Sequence, residues 1–284
     1  MKEVEDFKRQ ILREYPRLDI DSEFTFRCHP GVPCFNDCCG DVNIFLTPYD
    51  VIRLKNRLGI SSTEFLRKHT ISPMDRNLKY PVILLQMNTN EKKTCPFVGP
   101  KGCGVYEDRP WACRMYPLGL ASPGDDSDEL DNEFYFLLKE NHCKGFNEPT
   151  KYTVRSWLGD QGIQEYNVMG DMFKKLTTHK YFRDNNQLPP DKVEMFFLVC
   201  YDIDRFRKFV FESSMLKKFI VDDTTLAAIK DDDVALLKFG YNFLHFSLFR
   251  EPTMKIRGEV VEDKKKELLA KGKLSRDKQD LKLD

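Results

Sequence analysis

Nine cysteines stand in this chain of 284 residues, and eight of them fall between Cys28 and Cys143. The first group reads Cys28-x5-Cys34-x3-Cys38-Cys39; the second reads Cys95-x7-Cys103-x9-Cys113, with Cys143 following after 29 further residues. Thiolates are soft donors that select zinc, copper(I) and iron–sulfur clusters, and four of them complete a tetrahedral zinc site or hold a cubane cluster. Eight thiols can therefore fill two sites, or one site with spares. The side chains of adjacent Cys38 and Cys39 diverge in extended backbone, so they serve different metal atoms, or one binds while the other packs. A disulfide between them would be strained. Gly31, Gly40, Gly102 and Gly104 stand beside or near these cysteines and suit a loop that must approach sulfur closely.

The chain starts Met1-Lys-Glu-Val-Glu-Asp-Phe-Lys-Arg, with no apolar stretch after its charges, so export is not expected and a cytoplasmic location is. A reducing compartment does not maintain structural disulfides and points clustered thiols toward metal; the disulfide alternative requires an unrecognised export route. The longest apolar runs, such as 195–201, fall far short of the roughly 20 residues that span a bilayer, so no membrane span is expected. With 45 basic and 45 acidic residues the molecule has no bulk field to gather nucleic acid or an anionic membrane, so composition leaves the partner open, a protein partner or protein substrate among the candidates, to be argued from local features.

The second cysteine group lacks the C-x2-C to C-x4-C pairs of a zinc ribbon. Neither common ferredoxin run occurs, and the C-x3-C-x2-C order associated with radical chemistry fails because Cys39 follows Cys38 directly. What does fit is a combination: Cys34-x3-Cys38-Cys39, Cys95-Pro-Phe, Gly102-Cys-Gly-Val-Tyr106, and Arg109-Pro-x2-Cys113-Arg-x-Tyr-Pro117. Over about residues 24–146 this closely resembles the zinc- or iron-chelating cysteine-cluster family of YkgJ type. The intervening Leu46-Thr-Pro-Tyr-Asp-Val-x-Arg-Leu segment resembles that family's usual helical insert. The resemblance implies an iron–sulfur cluster or zinc held by Cys28, Cys34, Cys38, Cys39, Cys95, Cys103 and Cys113, and Cys143 joins them on its spacing and its Asn-His-Cys-Lys-Gly setting. Because relatives include flagellin lysine N-methylases, it also implies protein-lysine methyl transfer from S-adenosylmethionine as an alternative, with structural zinc in an interaction module as a third reading.

Arg109 and Arg114 flank Cys113 and could compensate thiolate charge, or hold the loop by ion pairs. Tyr106 and Tyr116 could donate to sulfur or substrate, or simply pack. His29 and His142, each beside a cysteine, are alternative ligands whose bland role is surface hydrogen bonding. Cys200 lies on an apolar helical stripe far from the cluster and reads as a small core residue. The segment 99–104 has neither dinucleotide nor P-loop order, and neither H-E-x-x-H nor G-x-S-x-G occurs, so hydrolase chemistry has no sequence support.

The elements that must position these residues make an α+β fold: a small cysteine-rich metal-binding core with short strands and a helical insert, followed by a mainly helical C-terminal half. An amphipathic helix is predicted over 3–14. Phe24, Phe26 and Cys28 alternate, as do Val42, Ile44 and Leu46, placing four cysteines between two extended segments. Thr47-Pro48 and Gly59 delimit a helix over about 48–58, and Ser61 opens another ending near Lys68 or His69. Strands are predicted over 80–87, 118–121 and 133–138, the last two flanking an acidic loop. The clearest later helix is 191–211, with Val193, Phe196, Phe197, Cys200 and Val210 on one stripe. The domain reading is an N-terminal helix over 1–22, the cysteine domain over 23–149, a helical region over 150–254, and a charged, flexible tail or loose helix over 255–284.

Overall fold

In the computed structural model the described residues are 15–73, 78–121 and 133–271. The predicted 3–14 helix, the acidic loop and the end of the charged tail lie outside them. The chain folds as two compact units that interleave in sequence: one takes in the described residues up to Phe45 and Leu85–Val168, the other Leu46–Leu84 and Met169 onward. All eight clustered cysteines belong to the first unit, and Cys200 belongs to the second.

The first unit is assembled from short antiparallel pairs. Glu23–Thr25 pairs with Lys151–Thr153, Leu118–Ala121 pairs with Phe134–Leu137, and Val98–Gly99 pairs with Gly102–Cys103. Period-two alternation turns Phe24 and Phe26 inward while Thr25 faces solvent. They meet Met115, Leu118, Val154, Trp157 and Ile163 in one apolar cluster. The Phe26 and Trp157 rings pack edge to face at 5.6 Å, and the Trp157 indole donates to the Met115 carbonyl at 3.2 Å, so the large ring is buried with its one polar atom satisfied. Past Thr25 the pairing continues: Phe26 N–H donates to Thr150 O and Arg27 N–H to Gly145 O. That continuation delivers Cys28 beside the segment carrying Cys143.

The second unit is helical. Pro48–Leu58 starts at a reciprocal capping box between Thr47 and Asp50 and stops at left-handed Gly59. Ser62–His69 follows, capped by the Ser61 hydroxyl. The helix Asp233–Phe249 buries Leu236, Leu237, Phe239, Tyr241, Phe243 and Leu244, spread over more than one face, as the central helix of a packed layer does. It contacts Pro48–Leu58, Pro190–Cys200, Ile203–Glu212 and Asp223–Asp231.

Three expectations are corrected. The 191–211 segment is two helices, Pro190–Cys200 and Ile203–Glu212, because the Asp202 carboxylate between them is buried and accepts from the Ser62 and Thr63 hydroxyls at 2.7 and 2.8 Å. A buried carboxylate without such partners is costly, and meeting them takes Tyr201 and Asp202 out of helical geometry. The 80–87 strand shrinks to Leu84–Leu85. Residues 42–46 form no strand, although Ile44 O accepts from Leu85 N–H. In the charged tail, Gly258–Ala270 is a regular helix.

Candidate metal centre

The first cysteine loop is wound from successive tight turns: Val32 N–H donates to His29 O, Phe35 N–H to Val32 O, Asp37 N–H to Cys34 O and Cys39 N–H to Asn36 O. Asn36 takes the left-handed conformation that asparagine tolerates, and its amide donates to Gly99 O at 3.1 Å. This winding brings Cys28, Cys34 and Cys38 to one half-open cavity, and Cys143 completes its wall together with Phe26, Val32, Tyr116, His142 and Gly145. Gly145 is needed there. A Cβ on it would lie 2.9 Å from Arg27 O and 2.7 Å from the Phe26 ring, prising Cys143 away from Cys28.

The backbone also reaches toward sulfur. Lys144 N–H donates to Cys34 Sγ at 3.0 Å. Burial, then the neighbouring Cys38, Cys34 and Cys143, push the Cys28 thiol up to about 11. A hydrogen bond from Cys39 brings Cys38 down to about 7, against the opposing effects of burial and of Glu140 and Asp37. Cys39 is held far up by that same bond, by burial, and by Cys38, Cys95 and Cys113. Gathering thiolates without a cation raises their pKa values; a metal reverses the balance and takes the protons off.

The remaining thiols are placed differently. Cys95 N–H donates to Cys39 O at 2.7 Å, and Asp41 N–H to Lys93 O, so two chain segments run side by side there. Burial raises the Cys95 thiol, while the Phe97 and Val98 backbone N–H groups turn toward its sulfur and oppose that rise; Cys103 is a further negative neighbour. The hairpin Val98–Gly99 with Gly102–Cys103 carries Cys103 back to Cys95. Cys113 lies on the helix Trp111–Met115.

Both arginines are buried and anchored. Arg109 donates to Tyr106 O at 2.5 Å and to the Gln161 side chain, and its guanidinium lies over the Tyr106 ring at 3.8 Å. Burial lowers the Arg109 pKa; Tyr106, Cys113 and Cys103 are the negative neighbours that favour its charge. Arg114 donates to Arg109 O, Gln161 O and Glu107 O and lies over the Tyr166 ring at 4.5 Å. These two side chains fasten the loop before Cys113 to the segment around Gln161, a partner that carries no sequence signal.

Residues 27–151 match the family model CxxCxxCC, described as a "Putative zinc- or iron-chelating domain". This segment is similar to that family. No curated protein and no solved structure matches the chain. The matched segment contains all eight clustered cysteines, takes in Leu46–Leu84 of the second unit as well, and ends before the helical C-terminal half.

Within the matched segment the tyrosines separate. Tyr106 is exposed, whereas Tyr116 lines the four-thiol cavity; its buried hydroxyl has no well-formed hydrogen bond. Burial, then Cys143, holds the Tyr116 phenol protonated well above its ordinary range. His29 is committed elsewhere, with Nε2 at 3.1 Å from Glu148 and Nδ1 accepting from Gly31 N–H. His142 lines the cavity and lies 3.4 Å from Glu140. Cys200 is fully enclosed by apolar core. Sequence reasoning missed Glu140 and Gln161; Glu140 had a signal, three residues before Cys143. Among the described residues, no three His, Cys, Asp or Glu side chains are drawn tightly enough together to hold a bare ion as they stand. Among the described residues no helix is long and apolar enough to cross a membrane.

Proposed function

We propose that this protein binds an iron–sulfur cluster through Cys28, Cys34, Cys38 and Cys143. The observation that carries the reading is the cavity these four thiols wall with Phe26, Val32 and Tyr116. A zinc ion sits about 2.3 Å from each of four sulfurs and needs no room beyond its ligands. Thiols standing around an open, largely apolar space suit a bulkier group that brings its own sulfide. The Lys144 N–H donates to Cys34 sulfur, and the buried Tyr116 hydroxyl beside Cys143 has no partner of its own and is a second donor that a bound cluster would engage; donors to ligand sulfur set a cluster's potential. When bound, the cluster would supply one-electron chemistry.

Protein purified without oxygen should be brown, contain iron and acid-labile sulfide, and bleach in air. A colourless protein with stoichiometric zinc would replace this reading with the structural-zinc one. Titration with S-adenosylmethionine in a calorimeter tests the methyl-transfer alternative, which would be supported by binding that disappears in a Cys34→Ser variant. Tyr116→Phe should keep full iron content while lowering the cluster's reduction potential, because the lost donor stabilised the more negative, reduced state. An unchanged potential in protein-film voltammetry would remove Tyr116 from that role.

A further inference from the structure

The matched segment ends at residue 151, yet the cysteine-bearing unit continues to Val168. We propose that Gln161, in this continuation, is a positioning residue of the thiol cavity: through Arg109 and Arg114 it holds the helix Trp111–Met115, and so fixes where the next residue, Tyr116, stands in the cavity wall. For its effect on electrochemistry the proposal rests on the cluster reading above; for the placement of Tyr116 it does not.

A short helix and a turn make the clamp. Val154–Asp160 ends at Gln161, whose N–H donates to Trp157 O at 2.9 Å, and Gly162 follows with a φ of 60°. That left-handed turn sends Ile163 into the apolar cluster and carries the chain on to Tyr166 and Asn167. Contacts from both arms then grip Trp111–Met115. The Trp111 indole donates to Asn167 Oδ1 at 2.8 Å, Arg114 Nη1 to Gln161 O at 2.7 Å, and the Trp157 indole to Met115 O at 3.2 Å, while the Arg114 guanidinium lies over the Tyr166 ring at 4.5 Å. A helix of five residues does not hold its own conformation in water, so these contacts set its position.

Gln161 is the member of the clamp that receives both arginines. It is buried; its carbonyl accepts from Arg114, its side-chain oxygen accepts from Arg109, and its side-chain nitrogen donates to Asp160 at 2.8 Å. Arg114 also donates to Arg109 O at 3.1 Å, which closes the network. Two buried cations side by side tolerate little displacement. An Arg109 that loses the Gln161 oxygen must find another acceptor, and the loop and helix behind it move with it.

The helix passes its position to the cavity. Tyr116 N–H donates to Ala112 O at 3.3 Å, its ring meets Phe26 edge to face at 5.8 Å, and its buried hydroxyl stands in the wall without a partner. A phenol held by its ring but unpaired at its hydroxyl answers a small backbone shift by changing how closely it approaches ligand sulfur.

The test separates placement from chemistry. Gln161→Met keeps the side-chain volume and removes the acceptor for Arg109; Asn167→Leu removes the acceptor for Trp111 at the start of the helix. Both are purified without oxygen beside wild type, with iron, zinc and sulfide measured and folding followed by circular dichroism. In protein labelled at its tyrosine rings, the Tyr116 resonance, assigned by its loss in Tyr116→Phe, should move in both variants while metal content stays that of the wild type. In cluster-loaded protein the reduction potential of Gln161→Met should shift negative, by less than that of Tyr116→Phe, and adding Gln161→Met to Tyr116→Phe should produce no further shift. Zinc without sulfide in the wild type would end the cluster reading, and the Tyr116 resonance would still decide this one. A folded Gln161→Met or Asn167→Leu protein with an unmoved Tyr116 resonance, or a potential shift that persists undiminished in the Tyr116→Phe background, would overturn the proposal.

Discussion

Stripping the metal with a chelator under reducing conditions should unfold the cysteine-bearing unit and leave the helical unit standing. The unit's strand pairs are two-stranded and at most four residues long, a construction only marginally stable alone in water. Its central apolar cluster is seven buried side chains, most of them supplied by Phe24, Phe26, Trp157 and their neighbours. Four-thiolate zinc sites contribute about 10–16 kcal/mol of apparent binding free energy, as much as the whole stability of an ordinary domain, which is about 5–15 kcal/mol. Removing that contribution should carry the unit past its unfolding midpoint. Both tryptophans of the chain, Trp111 and Trp157, are in this unit, so their emission reads it selectively. Emission should shift to the red on chelation as the Trp157 ring leaves its cluster and the Trp111 indole loses its 2.8 Å bond to Asn167. Far-UV helicity, which comes mainly from the other unit, should persist. Unchanged tryptophan emission after complete metal removal would sink the idea.

The sequence discloses whatever is decided within a few residues. Thr47, Pro48, Asp50 and Gly59 define the ends of the helix Pro48–Leu58 because a cap is a local bargain between neighbouring side chains and backbone. The expected divergence of Cys38 and Cys39 assumed extended backbone, whereas Asp37–Cys39 is a tight 3-10 turn that brings the two thiols into a hydrogen bond. The membership of the thiol sets is different. Chain order groups Cys143 with Cys95, Cys103 and Cys113, yet it joins Cys28, Cys34 and Cys38, because Phe26 and Arg27 pair with Thr150 and Gly145 across more than a hundred residues. The interruption at Asp202 has the same origin: its partners Ser62 and Thr63 lie some 140 residues earlier, and hydrophobic periodicity runs through the position unaware of them. Arg109 and Arg114 advertise themselves beside Cys113, but Gln161, which receives both, does not.

The second large effect belongs to the helical unit. Lys55→Met should destabilise it by about 3 kcal/mol, the low end of what breaking a buried ion pair costs. The Lys55 side chain is 7% exposed, and its ammonium lies 2.9 Å from Asp233 and 3.3 Å from Asp204, tying the helix Pro48–Leu58 to the starts of two later helices. The methionine stem fills the same space, so the loss is electrostatic rather than a cavity. Arg207 and Asn56 also reach Asp233, which is why the cost stays near the low end. Burial alone would raise the Asp233 pKa; the hydrogen bonds and charge of Lys55, with Arg207 and Asn56, hold it below the ordinary carboxylate value. A carboxyl depressed in the folded state contributes stability that is fully present above its unfolded pKa of about 3.9 and is lost as pH falls through the lower folded value. Urea midpoints of the wild type should therefore drop between about pH 5 and pH 2, and the drop should be shallower in Lys55→Met. Asp233→Asn should flatten the same window from the other partner. If the Lys55→Met midpoint at neutral pH matched the wild type, the ion pair would be shown to do no more than its desolvation costs, and the polar contacts of Asp202 with Ser62 and Thr63 would have to join these helices instead.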